Sequence, residues 1–320
     1  MTTPAALPDD LVLRPLADAD ELALFTTLPY TLNHELADDL AAGRRRPEWM
    51  WVALAGGRVR ARIAWWAPEA GRAPELLDIL DLDDTADDRV AIGAALHRAA
   101  SAAVLADVPG TPPEFMRFVP GEWRDDPADR RAVEDRVAVV EGAGARLKIE
   151  RLRLEWRPGT PIPAPTGRLL FRPLRDEEEL IGLMAAVIGG TLDAYTLADL
   201  ASGLSPRAAA EEHFAGELAR FRTPRDWWRI GTLPDGEPVG FVIPARNNYH
   251  PIIAYAGVVP AHRGHGYVDD LLAEGTRVLS AQPDIPRIRA ATDLTNTPMA
   301  AAFRRAGYVT FERALHYTWA

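Results

Sequence analysis

Residues 255–272 read YAGVVPAHRGHGYVDDLL, and the order of residue types here decides how the rest of the chain is read. An apolar, β-prone run stops at Pro260, passes through Arg263-Gly264-His265-Gly266, and resumes with helical spacing at Val268, Leu271 and Leu272. The pattern predicts a strand, a glycine loop and a helix start. Glycines let the backbone approach a ligand closely, the first N–H groups of a helix lack partners, and Arg263 adds positive charge. Such a place suits a phosphate or pyrophosphate.

The spacing is not GxxxxGK[ST], and Gly257, Gly264 and Gly266 do not fall in GxGxxG order. Further along come RIRAATDLTN at 287–296 and PMAAAFRRAGY at 298–308. These predict a second strand ending near Thr292, a polar turn, and a helix. Thr297 is the expected N-cap, Pro298 the first helical residue and Gly307 the stop.

In this order the two segments resemble motifs A and B of the GNAT superfamily of acyl-CoA-dependent N-acyltransferases. Arg263 and Gly266 match motif A, R/Q-x-x-G-x-G/A, with Val268 where Gly or Ala is usual. Asn296 and Gly307 match motif B, N-x-x-A…Y-x-x-x-G-F, with Phe303 for the usual Tyr and Tyr308 for the usual Phe. The resemblance implies an α+β fold with a mixed, mostly antiparallel twisted sheet flanked by helices. It implies acetyl-CoA, or another short acyl-CoA, as cosubstrate. A bulge in the strand of Ile252 to Val259 would splay it from the next strand, and pantetheine would lie in the split. Backbone groups of Val258 and Val259 would meet the pantetheine amides. Arg263, Gly264, His265, Gly266, Tyr267 and Val268 would hold the pyrophosphate, and Asn296 and Phe303 would line the cofactor.

The chain also repeats itself. LVLRPL at 11–16, with Asp18 as a helix N-cap and Glu21 after it, returns as LLFRPL at 169–174 with Asp176 and Glu179. Tyr30-Thr-Leu answers Tyr195-Thr-Leu, and PEWMW at 47–51 answers PRDWW at 224–228. Gly56-Gly57 and Asp235-Gly236 mark one hairpin in each copy. Hairpins early and crossovers late predict two tandem α+β domains, at 11–156 and 168–320, after a leader at 1–10. Between them, RPGTPIPAPTG at 157–167 reads as a stiff, proline-rich linker. Where the second copy has its glycine loop, the first has Asp81, Asp83, Asp84, Asp87 and Asp88. Two like charges about 4 Å apart repel by about 4 kcal/mol near a protein surface, so the first copy is expected not to take CoA this way.

Composition narrows the class. A net charge of −10 and the absence of a basic stripe argue against nucleic acid or an anionic membrane as partner. No charged-then-apolar signal appears in MTTPAALPDD, and the apolar run at 180–192 is too short to span a bilayer, so a cytoplasmic protein is expected. The absence of cysteine rules out disulfides, thiolate metal sites and a Cys-linked acyl-enzyme, which favours direct transfer between donor and acceptor. His262 and His265 lie in a loop with no third ligand nearby, and no metal is expected.

The catalytic residues are less legible. Ile252 and Ala254 stand on the strand face where related enzymes often place Glu or His, which leaves His250 as the nearest titratable candidate for a base. Asp293, closing the second motif strand, is a candidate for binding an acceptor cation or relaying a proton. Tyr317 is the candidate acid in place of the tyrosine that Phe303 replaces. The expected activity is transfer of an acetyl or short acyl group to a primary amine of a small molecule in a ternary complex. The expected partners are CoA and that amine, in a monomer or homodimer. A non-catalytic acyl-CoA sensor and a peptide or protein N-acetyltransferase are the alternatives.

Overall fold

The computed structural model describes residues 7–319. In chain order the strands and helices are β1 Val12–Pro15, α1 Leu22–Phe25, α2 Leu36–Ala41, β2 Met50–Ala55, β3 Arg58–Trp66, β4 Leu76–Leu82, α3 Arg89–Val104, β5 Glu114–Pro120, α4 Pro127–Gly142 and β6 Ala145–Trp156. There follow β7 Leu170–Arg172, α5 Glu177–Ile188, α6 Ala194–Ala201, α7 Pro206–Gly216, β8 Arg229–Thr232, β9 Pro238–Arg246, β10 Pro251–Val258, α8 Tyr267–Ser280, β11 Ile288–Asp293, α9 Thr297–Arg305 and β12 Val309–Trp319.

Two compact units emerge among the described residues, one of residues 7–150 with 313–319, the other of residues 151–312. Each is α+β with a mostly antiparallel sheet, in the order β1-β2-β3-β4-β5 closed by 313–319, and β7-β8-β9-β10-β11 closed by 151–156. The boundaries therefore fall inside β6 and β12, not in the proline-rich stretch. Closing strands are exchanged between the two halves of the chain, and residues 157–167 join two strands of one unit. That stretch is packed down: Arg277 donates to the Pro163 carbonyl (3.2 Å) and Thr166 to Asp270 (2.6 Å). Of the expected leader, residues 1–6 lie outside the described residues, and Asp10 accepts the Gly56 N–H at 2.7 Å.

The duplication is visible in a shared clamp. In the N-terminal unit Glu21 binds Arg14 through both oxygens and accepts the Ala17 N–H; in the C-terminal unit Glu179 does the same with Arg172 and the Arg175 N–H. Each carboxyl is drawn down to about 2, foremost by its arginine hydrogen bond. Burial follows the alternation of the strands. In the C-terminal unit Phe241 and Ile243 pack with Trp228, Met184 and Phe214 on the α5/α7 side, while Val242 and Ile253 pack with Leu271, Leu272 and Phe303 on the α8/α9 side. Trp228 is a fully buried core residue.

Candidate active site

β10 carries the feature that makes a site. Its pairing with β9 slips between Ile253 and Tyr255, so Ala254 is the extra residue of a bulge. On its other side β10 pairs in parallel with β11 only at Ile252 and Arg289, and the two strands then part. A split opens toward Val258 and Asp293. The Val259 N–H donates to Val239 of β9 (2.9 Å), which corrects the expectation that both Val258 and Val259 serve pantetheine. Alternation along an antiparallel ladder turns the Val258 N–H the other way, into the split.

At the open end lies the glycine loop. Gly264 and Gly266 have φ of +82° and +74°, a region that disfavours side chains, and Gly266 stands at the N-cap of α8. Among the described residues, the N–H groups of Gly264, His265, Gly266, Tyr267 and Val268 reach no backbone acceptor. Main-chain donors without partners around a helix start favour an anion. Arg168, which sequence reasoning missed, grips the loop from outside. It donates to the carbonyls of His265 (2.8 Å) and Gly266 (3.4 Å), pairs with Asp270, and lies over the Tyr267 ring at 5.3 Å. His262 bonds Glu237 at 3.0 Å and the His265 ring stacks on Tyr267.

Arg263 is placed differently from its expected role. Its Nε donates to the Val258 carbonyl (3.1 Å), while the terminal nitrogens donate to Val187 (2.6 Å), Gly189 (2.7 Å) and Gly190 (3.1 Å). The guanidinium faces carbonyls at the end of α5. Asn296, not Thr297, caps α9, its side chain accepting the Met299 N–H at 3.3 Å. Phe303 is 3% exposed and packs edge-on to Tyr308 at 5.2 Å, a core position.

The three candidate catalytic residues do not converge. His250 closes the β9–β10 turn, its N–H on the Asn247 side chain at 2.7 Å, at the end of β10 remote from the loop. Asp293 is buried, pairs with Arg151 at 3.0 Å and accepts the Ala194 N–H at 2.7 Å. It fastens the start of α6. Tyr317 belongs to the N-terminal unit, buried beside Phe115 at 6.1 Å, and burial pushes its hydroxyl up to about 12. It is a core residue there. Sequence reasoning passed over Tyr255, the residue after the bulge. Its ring packs against Phe241 (5.0 Å) and His213 (4.9 Å) on the α5/α7 side. Burial, then the charge of Asp193, raises its hydroxyl to about 12, so it keeps its proton at neutral pH.

The N-terminal unit has the same strand geometry without the opening. β4 pairs with β5 only at Leu76 and Leu77, and its bulge falls at Asp78, opposite the step from Ala64 to Trp65. Here Arg117 of β5 reaches across to the Leu80 carbonyl (3.0 Å) and Asp81 (3.0 Å) of β4. Arg62 also binds Asp81 at 2.7 Å, and Arg136 lies 3.7 Å from it. Aligned on the bulges, Asp81 matches Gly257. Buried charge bridges this split, where the matching position of the other is Gly257.

The C-terminal unit thus combines a loop of N–H groups without backbone partners, feeding a helix, with a strand split beside it on an α+β sheet. The sequence model described as "Acetyltransferase (GNAT) domain" matches residues 168–309. That match lies within the C-terminal unit, and the family it describes is one of acyl-transferring enzymes that use acetyl-CoA. No curated protein matches the chain. Among solved structures it is similar to a GCN5-related N-acetyltransferase from Sphaerobacter thermophilus, at 16% identity over 98% of this chain and 96% of that one, with a TM-score of 0.66. It is similar also to a tandem GNAT protein from the clavulanic acid biosynthesis pathway, at 19% identity over 96% and 98%, with a TM-score of 0.52. A third is a glucosamine N-acetyltransferase region of a fungal multi-domain β-N-acetylglucosaminidase, at 14% identity over 97% of this chain and 38% of that one, with a TM-score of 0.57. At these identities the likeness is one of fold.

Proposed function

We propose that the C-terminal unit transfers an acetyl or other short acyl group from acyl-CoA to the primary amine of a small molecule, directly and within a ternary complex. The observation that carries this reading is the open split of β10 and β11 leading into the five free N–H groups at 264–268. The loop would hold the pyrophosphate through main-chain donors, and the split would take pantetheine, with the Val258 N–H toward the thioester. Bound acyl-CoA would supply the activated acyl group. The N-terminal unit, with Arg117 across its split, serves structure.

On the acceptor side the chemistry is modest. An alkylammonium with pKa near 10 is about 0.1% free amine at pH 7, so its proton must leave before attack. With His250 and Asp293 held elsewhere, we assign that proton to water. Tyr255, protonated and on the α5/α7 face, is the hydrogen-bond donor for the acceptor or the departing thiolate. A thiol of pKa about 8.5 leaves without strong acid help, which is compatible with Phe303 at the motif position. That same phenylalanine favours the second reading, a sensor that binds acyl-CoA without turnover.

The test is release of free thiol from acetyl-CoA across a panel of alkylamines, aminosugars, arylamines and short peptides with the full chain. Turnover with amines of one class supports the enzyme and names its acceptor. Tight acetyl-CoA binding with no thiol release from any of them means the sensor.

A further inference from the structure

We propose that Arg263 is a positioning residue that fastens the α5–α6 connection to the anion loop, and that it does not itself neutralise the bound pyrophosphate. This rests on the acyl-CoA reading of the loop. All three guanidinium nitrogens donate to main-chain carbonyls, four in all: Val258 at the end of β10, and Val187, Gly189 and Gly190 at the end of α5. The last carbonyls of a helix carry partial negative charge and lack partners, so a planar cation is well matched to them.

The receiving end is shaped for the arginine. Gly190 has φ of +70°, and a Cβ there would stand 3.1 Å from the guanidinium; one on Gly189 would stand 3.2 Å from the Ala186 carbonyl. The glycine pair thus lets two consecutive carbonyls turn onto one cation. The far end of the same connection is tied to the other lip of the split, because the Ala194 N–H donates to Asp293 at the end of β11. Residues 189–194 therefore run from the β10 lip, held by Arg263, to the β11 lip, held by Asp293. They cross the mouth of the split on the side where Tyr255 and Asp193 stand. Arg263 links the cofactor loop to the segment that walls the acceptor.

Lysine at this position separates the two roles, since it keeps the charge but cannot reproduce a planar fork. Arg263→Lys and Arg263→Ala would be compared with wild type by hydrogen exchange of peptides spanning 187–196, with and without acetyl-CoA, and by calorimetric titration of acetyl-CoA at two salt concentrations. The fastening role predicts that both variants exchange at least ~10-fold faster at 187–196. It predicts acetyl-CoA affinity within ~5-fold of wild type and an unchanged salt dependence. Gly190→Ala, which disturbs the joint while leaving Arg263 in place, should reproduce the exchange change. The proposal is overturned if Arg263→Ala loses acetyl-CoA ~30-fold or more with a weaker salt dependence while Arg263→Lys retains both affinity and protection. If wild type binds no acetyl-CoA, the functional reading fails, and exchange in the unliganded protein still decides whether Arg263 holds the segment.

Discussion

Asp81 is where the difference between the two units can be measured. In the N-terminal unit it is fully buried and accepts from Arg62 Nε (2.9 Å), Arg62 Nη2 (2.7 Å) and Arg117 Nη2 (3.0 Å), with Arg136 at 3.7 Å. Burial alone would raise its pKa, but Arg117, Arg62 and Arg136 together outweigh it and hold the carboxyl below the usual range. Asp81→Asn keeps the shape and removes the charge, leaving three guanidinium groups around a neutral amide. Breaking a buried pair by removing one partner costs about 3–5 kcal/mol, and several partners place this site toward the upper end. For a unit of this size each kcal/mol lowers the midpoint by about 2–4 °C, so a fall of roughly 10–15 °C is expected. Hydrogen exchange at peptides from β4 and β5 would report it within the full chain, with acetyl-CoA binding by the C-terminal unit unchanged. A loss below about 1 kcal/mol would show that these charges are wet and that the split is not closed by them.

Three further outcomes are expected. The Arg172–Glu179 clamp lowers the Glu179 pKa to about 2, so its stabilisation is complete above the unfolded value near 4.5 and is lost as pH falls toward 2; Glu179→Gln should remove about 1–2 kcal/mol at pH 7 in denaturant titration and flatten that acid limb. Arg168→Ala frees the carbonyls of His265 and Gly266 and should weaken acetyl-CoA about 5- to 10-fold by calorimetry, with the melting temperature little changed. Tyr255→Phe keeps the ring against Phe241 and His213, and should lower the turnover of a responsive amine at least ~10-fold at unchanged acetyl-CoA affinity in the thiol-release assay.

What could be read from the sequence was what is written locally. The strand, loop and helix of 255–272 are legible because Gly264 and Gly266 occupy left-handed backbone positions and the apolar spacing changes period across them. The duplication is legible because Arg14 with Glu21, and Arg172 with Glu179, form one clamp from one phrase. Exchange of the closing strands left no such trace. Residues 151–156 and 313–319 have the same strand pattern, and nothing in either says which sheet it joins. Thr297 and Asn296 are both competent caps, and tertiary placement chose Asn296. Three of the four targets of Arg263 lie more than seventy residues upstream in sequence, beyond any local pattern. Arg117 could have been noticed as an arginine set among Phe115, Met116, Phe118 and Val119, and Tyr255 as the one polar tip in the strand that leads into the loop.

The most direct measurement is a calorimetric titration of acetyl-CoA into wild type, Gly264→Asn and Gly264→Asp. The two substitutions share one backbone position, φ +82° with nothing within 4 Å of an added Cβ, and differ by a single charge. A carboxylate about 5 Å from a phosphate is worth about 3 kcal/mol near a protein surface, reduced by salt to about 2. The expected result is one site per chain, with Gly264→Asp at least ~30-fold weaker than Gly264→Asn. No binding, two sites per chain, or equal binding by the two variants would contradict a cofactor site at the loop of the C-terminal unit.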